Sequence, residues 1–300
     1  MVGRSGIRAQ SPCIGPVPIL FAAVLWGTTG TTSSLAPAGA PAAAVGSAGL
    51  ALGGLLLFLS TRGARLVCTR HEWWLVAVGA LAVAGYPVTF YPAVARTGVA
   101  VATVIALGSA PVFAGLLAWA VGQGRPTGRW IGATAAAVLG CAVLVLGPEL
   151  SGGTASVDLL GIVLAAFGGL TYAVYSLIGG RLITHGHGSN AVMGTMFGIA
   201  GLLVLPVVLC TNTSWLHTGR GMVVALHLAV FTTFVAYRLF GFGLRHTTAQ
   251  VATTLTLAEP AVAAVLGVVV IGERLPMVSW CGLAVTALGL AFLTLGARDR

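Results

Sequence analysis

Ten apolar runs of roughly 20 residues follow one another along the chain, and no other feature limits its folding as strongly. They lie near 17–37, 40–60, 73–93, 98–121, 130–147, 158–178, 190–210, 221–242, 248–271 and 278–296. In hydrocarbon every backbone N–H and C=O must be bonded within the protein, and runs this long without period-2 alternation can do so only as helices. The expected fold is an all-α polytopic membrane protein with ten transmembrane helices. Composition agrees, since 57% of the residues are hydrophobic, 7% are charged and the mean hydropathy is +1.00. A soluble domain carries about 25% charged residues.

The net charge of +9 comes from arginines scattered singly or in small groups, with no lysine. They form no continuous basic stripe, so no nucleic-acid partner is expected. The arginine- and alanine-rich, lysine-free composition suits a GC-rich bacterial genome. With a cytoplasmic N-terminus, Arg4, Arg8, Arg62, Arg65, Arg70, Arg125, Arg129, Arg181, Arg245, Arg298 and Arg300 fall inside. Arg96, Arg220 and Arg274 fall outside, and Arg238 lies within a span. The positive-inside rule therefore puts both termini in the cytoplasm. Arg4 and Arg8 ahead of the first run would also suit a cleaved signal peptide, but that run has a counterpart in the repeat described next. The cysteines, Cys13, Cys68, Cys141, Cys210 and Cys281, are odd in number and form no CxxC pair, which indicates neither a disulfide framework nor zinc. No cofactor and no metal are expected; His185 and His187 have no third ligand nearby.

Shifting the chain on itself by about 149 residues lays 95–125 on 244–274 and matches Arg96 with Arg245, Pro111 with Pro260 and Arg125 with Arg274. "AVLGCAVLVLG" likewise meets "TALGLAFLTLG", "AAVLWG" resembles "LAAFGG", and the GxxxG pair Gly49 and Gly53 matches Gly194 and Gly198. Each half holds five expected helices. An odd number of spans per repeat brings the second copy in from the opposite side, so the repeats are inverted. The expected organisation is a cytoplasmic tail 1–16, a first repeat 17–147, a periplasmic connection 148–157, a second repeat 158–296 and a cytoplasmic tail 297–300. Inverted repeats are a common construction for alternating access, with the site near the midplane between the halves.

"FAAVLWGTTGTTSSLAP" in the first run and "LAEPAVAAVLGVVVIGERL" in the ninth, followed by a glycine-spaced last run, resemble the EamA branch of the drug/metabolite transporter superfamily. The resemblance covers both halves. It implies an inner-membrane carrier with both termini inside, in a superfamily whose members export amino acids, other metabolites and drugs.

Within the ninth run stand an ionisable Glu259 and a helix-breaking Pro260. A charged residue at a helix centre costs about 2.5–3.5 kcal/mol on insertion scales, so Glu259 should face protein or a water-filled cavity. Thr253, Thr256 and Glu259 recur every three residues and share a helix face. Proline removes a backbone donor and frees a carbonyl one turn earlier. Two readings fit: Glu259 lines a substrate cavity and couples protons, or it is a structural group holding the helix against its neighbours. The aligned residue of the first half is Ala110, so its role is asymmetric. Arg238 is either a partner for Glu259 or a substrate carboxylate, or it snorkels to the interface; His227, Phe231 and Phe234 share its face. Further cavity candidates are Trp26, Thr29 and Ser33 on the first helix, Tyr86 and Tyr91 on the third, and Tyr172, Tyr175 and Ser176 on the sixth. Each could equally serve helix packing.

The expected function is secondary transport, exporting small metabolites such as amino acids or amines by alternating access, with a drug or toxic-compound efflux carrier as the alternative. Small-molecule substrate and membrane lipid are the expected partners, and a homodimer is compatible with the sequence. A channel is a weaker alternative. An intramembrane enzyme is disfavoured: the only aspartates, Asp158 and Asp299, lie at span ends, and there is no HExxH. No GxxxxGK[ST] motif points to nucleotide use.

Overall fold

The computed structural model describes residues 15–61, 70–150, 158–272 and 274–295, and these form helices without a strand among them. The elements are α1 (Pro16–Ser34), α2 (Ala42–Ser60), α3 (Arg70–Ala120), α4 (Gly128–Leu150), α5 (Leu159–Thr184), α6 (Ser189–Leu209), α7 (Gly219–Gly243), α8 (Ala249–Val270) and α9 (Met277–Leu295). Cys13, Cys68, Glu273, most of the N-terminal tail and of the connection 148–157, and the C-terminal tail lie outside the described residues.

Eight stretches are long and apolar enough to cross a membrane. The first expected span, α1, is not among them, because its last eight residues are glycine, threonine and serine. Its hydroxyls turn back onto the helix: Thr28 donates to the Leu25 carbonyl at 2.6 Å and Ser34 to that of Thr31 at 2.8 Å. The third and fourth expected spans fall within the 51 residues of α3, interrupted at Gly98, whose φ of 81° and ψ of 160° are not helical. A side chain there would be strained, and glycine is the residue that reaches this region freely.

Polar contacts tie the helix ends together. Arg96, just before the Gly98 break, donates to Asp158 at 3.2 Å, and Asp158 also caps α5 by accepting the Gly161 N–H at 2.9 Å. The Gly161 amide first, and then the Arg96 guanidinium, hold the Asp158 carboxyl below the usual carboxylate range. At the other end of α3, Glu72 pairs with His187 of the α5–α6 connection at 3.0 Å. At the start of α4, Arg129 donates to the Phe292 carbonyl near the end of α9 at 2.7 Å.

The helices pack by close approach of small residues, which membranes favour because apolar side chains gain nothing by leaving lipid. Gly54 of α2 lies against the Phe197 carbonyl of α6, and Gly194 of α6 lies against the Leu57 backbone of α2. Of the matched GxxxG pairs, Gly194 and Gly198 lie against α2, whereas Gly49 and Gly53 lie against Leu228 and Thr233 of α7. A second glycine seam joins α4 to α9, where Gly282 faces the Leu144 amide and Gly140 that of Thr286. α5 packs along α3, while α1 packs on α7 and α8.

Candidate functional site

Glu259 sits where α8 breaks. Without an N–H on Pro260, the Thr256 carbonyl has lost its partner one turn on, and it accepts the Glu259 N–H instead, at 2.9 Å. The Leu257 N–H likewise reaches back three residues, to Thr254 at 3.1 Å. The backbone therefore tightens to three-residue turns at Thr256 and Leu257, which separate the two α-helical pieces of α8. Thr256 completes the local network: its hydroxyl donates to the Thr253 carbonyl at 2.9 Å and accepts from the Tyr172 hydroxyl at 2.9 Å. One proline thus fixes both a bend in α8 and a tie to α5.

α7 carries a complementary irregularity, a widened π turn over Leu228–Val235. Within it the Thr232 carbonyl accepts the Trp26 indole N–H from α1 at 2.7 Å, and Thr28 meets Nε2 of His227 at 2.8 Å. Such π insertions recur at functional sites, since they turn side chains off the regular helical register.

Between these two irregular helices lies a cavity of about 210 Å³. Aromatic side chains form much of its wall. Tyr172 stacks on Tyr175 with ring centroids 5.2 Å apart, Tyr86 stacks on Phe90 at 5.4 Å, and Tyr237 contacts Trp26 at 4.9 Å and Phe197 at 3.9 Å. Tyr175 and Tyr237 share a hydroxyl–hydroxyl bond of 3.1 Å. Tyr91 closes one side, its hydroxyl seated against Gly46, where any Cβ would collide with it. The Glu259 carboxyl reaches this space and has no hydrogen-bond or ion-pair partner among the described residues.

Of the residues singled out from sequence, Trp26, Thr29, Tyr86, Tyr91, Tyr172, Tyr175 and Glu259 line the cavity. Thr256 stands behind the wall through Tyr172. Thr253 is fully buried and bonds the Ala249 carbonyl of its own helix at 2.9 Å. Ser176 is also fully buried, with a hydroxyl that has no partner among the described residues. Ser33 lies beyond the cavity toward the end of α1. Arg238 makes no ion pair with Glu259 among the described residues; its guanidinium lies over the Phe234 ring, 5.4 Å from the centroid. The sequence reading missed Tyr237, Phe90, Phe197, Thr103, Thr232 and Thr233, all in the lining. An intramembrane tyrosine one place before Arg238 was a readable signal for Tyr237.

The cavity is displaced along the helices. Its lining comes from the second half of α1, the first half of α2 and the part of α3 flanking Gly98, together with Tyr172 and Tyr175 of α5, Phe197 of α6, Tyr237 of α7 and Glu259 of α8. At the opposite end, Ile19, Leu182, Met193, Phe240 and Leu244 are fully buried and close the bundle. There Gly243 packs on Ile19 and Gly241 on Met193, the nearest approach of a Cβ at Gly241 being 2.7 Å.

This architecture has close counterparts. A solved crystal structure matches over 95% of this chain and 98% of its own with a TM-score of 0.78 at 21% identity, a likeness of fold. The uncharacterized transporter YwfM of Bacillus subtilis is 38% identical over 283 residues, 94% of each chain. The threonine/homoserine exporter RhtA of Salmonella typhimurium is 28% identical over 282 residues, 91% of this chain and 90% of that protein. The EamA-like transporter family matches twice, over residues 14–146 and again over 159–295. Together the two matches leave few residues of the chain unassigned, and the chain belongs to the EamA-like transporter family.

Proposed function

We propose that the chain is a secondary transporter that exports small metabolites across the bacterial inner membrane by alternating access. The observation that carries this reading is the cavity itself: it is walled by helices from both family matches, and it is displaced toward one face while the other end is packed shut.

Ten spans follow if α1 crosses and α3 crosses twice, turning at Gly98. The 49 residues of the largely apolar stretch 72–120 exceed what one crossing needs by a factor of about two. The ion pairs support the turn, since Glu72 meets the α5–α6 connection while Arg96 meets the start of α5. Exchange of the two halves maps the packing of α1 on α7 and α8 onto that of α5 on α3, and maps α2–α6 and α4–α9 onto themselves. That is the behaviour of an inverted repeat with a two-fold axis in the membrane plane. With the arginine-rich connections inside, the packed end is cytoplasmic and the cavity lies toward the outer face.

The cavity of about 210 Å³ falls below the ~300–1,000 Å³ typical of sites for drug-sized ligands, which favours metabolites over bulky drugs. Glu259 serves as the proton-coupling group, the ionisable side chain at mid-helix depth in the lining. No chemistry on the substrate is involved. The test is flux into liposomes holding the purified protein, screened over amino acids, amines, sugars and cationic drugs with and without a pH gradient. Flux that saturates and responds to the gradient is expected. Flux that rises linearly with concentration would instead describe a channel.

A further inference from the structure

Glu259 is a lone carboxylate in a lining that contains no arginine, lysine or histidine. The two basic side chains nearest in sequence to this part of the wall are engaged elsewhere, Arg238 over Phe234 and His227 with the Thr28 hydroxyl. The remaining polar side chains of the lining are neutral: the Trp26 indole, whose N–H is given to the Thr232 carbonyl, and hydroxyls such as those of Tyr86 and Tyr91, which have no partner among the described residues. At the helix break, the Leu257 and Glu259 N–H groups are taken up by the Thr254 and Thr256 carbonyls.

A site built this way offers hydroxyls but no positively charged side chain, among the described residues, to balance an anion. A carboxylate at this depth is costly unless something neutralises it, and the rings around it, including Tyr86, Phe90, Tyr91 and Tyr172, present π faces that attract cations. An amino acid would bring an ammonium for Glu259 but also a carboxylate with no positive partner, close to a like charge. We infer that the cavity selects organic monocations, compact amines or ammonium compounds without a carboxylate, with Glu259 as counter-ion and the aromatic wall as the cation's cage. This rests on the reading of the cavity as the transport site and narrows its substrate class. It also sets the chain apart from RhtA, whose name gives zwitterionic substrates.

The test uses three probes that share a phenylethyl unit: phenethylammonium, phenylalanine and hydrocinnamate, a cation, a zwitterion and an anion. Binding to the purified protein and uptake into liposomes are measured for each. Phenethylammonium should bind at least about tenfold more tightly than phenylalanine, and hydrocinnamate should not compete. Glu259→Gln should weaken amine binding by about 30-fold or more, with Glu259→Asp in between. Tyr86→Phe should retain binding, whereas Tyr86→Leu should lose about threefold or more. Thermal unfolding of each variant identifies any that fail to fold, and Glu259→Asp and Tyr86→Phe keep the comparison alive if Gln or Leu does. Phenylalanine bound as tightly as the amine, or no amine binding by folded protein, overturns the inference; phenylalanine flux in that case leaves the carrier reading standing. Selective amine binding without flux sustains the charge selection and overturns the carrier reading.

Discussion

Glu259→Gln is expected to leave the protein folded and inserted while transport loses its response to a pH gradient. The amide keeps the shape and hydrogen-bonding capacity of the side chain but cannot ionise. Removing a mid-helix carboxylate also removes a membrane insertion cost, so the variant should be at least as heat-stable as the parent. A fall in transport therefore cannot be ascribed to lost fold. Downhill exchange should persist, though only at substrate concentrations raised in proportion to the weakened binding. Flux and pH response measured side by side in liposomes decide the matter. Wild-type values for both would leave Glu259 a purely structural role at the break in α8.

Gly54→Leu is expected to cost the protein much of its stability. A Cβ at Gly54 would overlap the Phe197 carbonyl oxygen and approach the Phe197 carbonyl carbon at 3.0 Å. These are backbone atoms of α6, so relief requires the two helices to separate rather than a side chain to turn. Overpacking of tight interiors typically costs about 1–3 kcal/mol, and the rigid backbone here puts the change at or above the upper end of that range. Gly30 of α1 is the control: nothing lies within 4 Å of a Cβ there, and Gly30→Ala should be neutral or stabilising by about 0.5–1 kcal/mol. Thermal unfolding in detergent separates the two. Equal unfolding temperatures for both variants would contradict the account of the α2–α6 seam.

The apolar runs revealed the helices because length and hydropathy report on the bilayer directly, and the doubling of the pattern was visible because Arg96, Pro111 and Arg125 recur as Arg245, Pro260 and Arg274 at one fixed offset. Glu259 and Pro260 were legible for the same reason: charge and proline are expensive in lipid, so their presence marks a special place. Which faces point inward was much harder to read. In water an apolar stripe identifies the buried side of a helix, but in a membrane both the lipid and the protein interior are apolar, and the contrast disappears. Regular helical spacing put Thr253 and Glu259 on one face, yet of the two only Glu259 lines the cavity, and the tightened turns at Thr256 and Leu257 lie between them. Tyr237 and Thr233 escaped notice for a related reason. The π turn of α7 inserts a shift that no regular 3.6-residue periodicity reproduces, and it brings both side chains to the lining. The pairing of Arg238 with Glu259, plausible from composition, failed because the guanidinium finds the face of Phe234 on its own helix.

The most direct measurement of the central claim is modification of the cavity during transport. Thr29 lines it from α1, toward the end opposite the packed side chains. A single cysteine placed there, in a chain whose native cysteines are replaced, would be treated from outside intact cells with a bulky, membrane-impermeant thiol reagent. Modification should stop transport, and bound substrate should protect the cysteine against it. Undiminished transport after complete modification, or labelling only from the cytoplasmic side, would contradict the proposed substrate path through this cavity from the outer face.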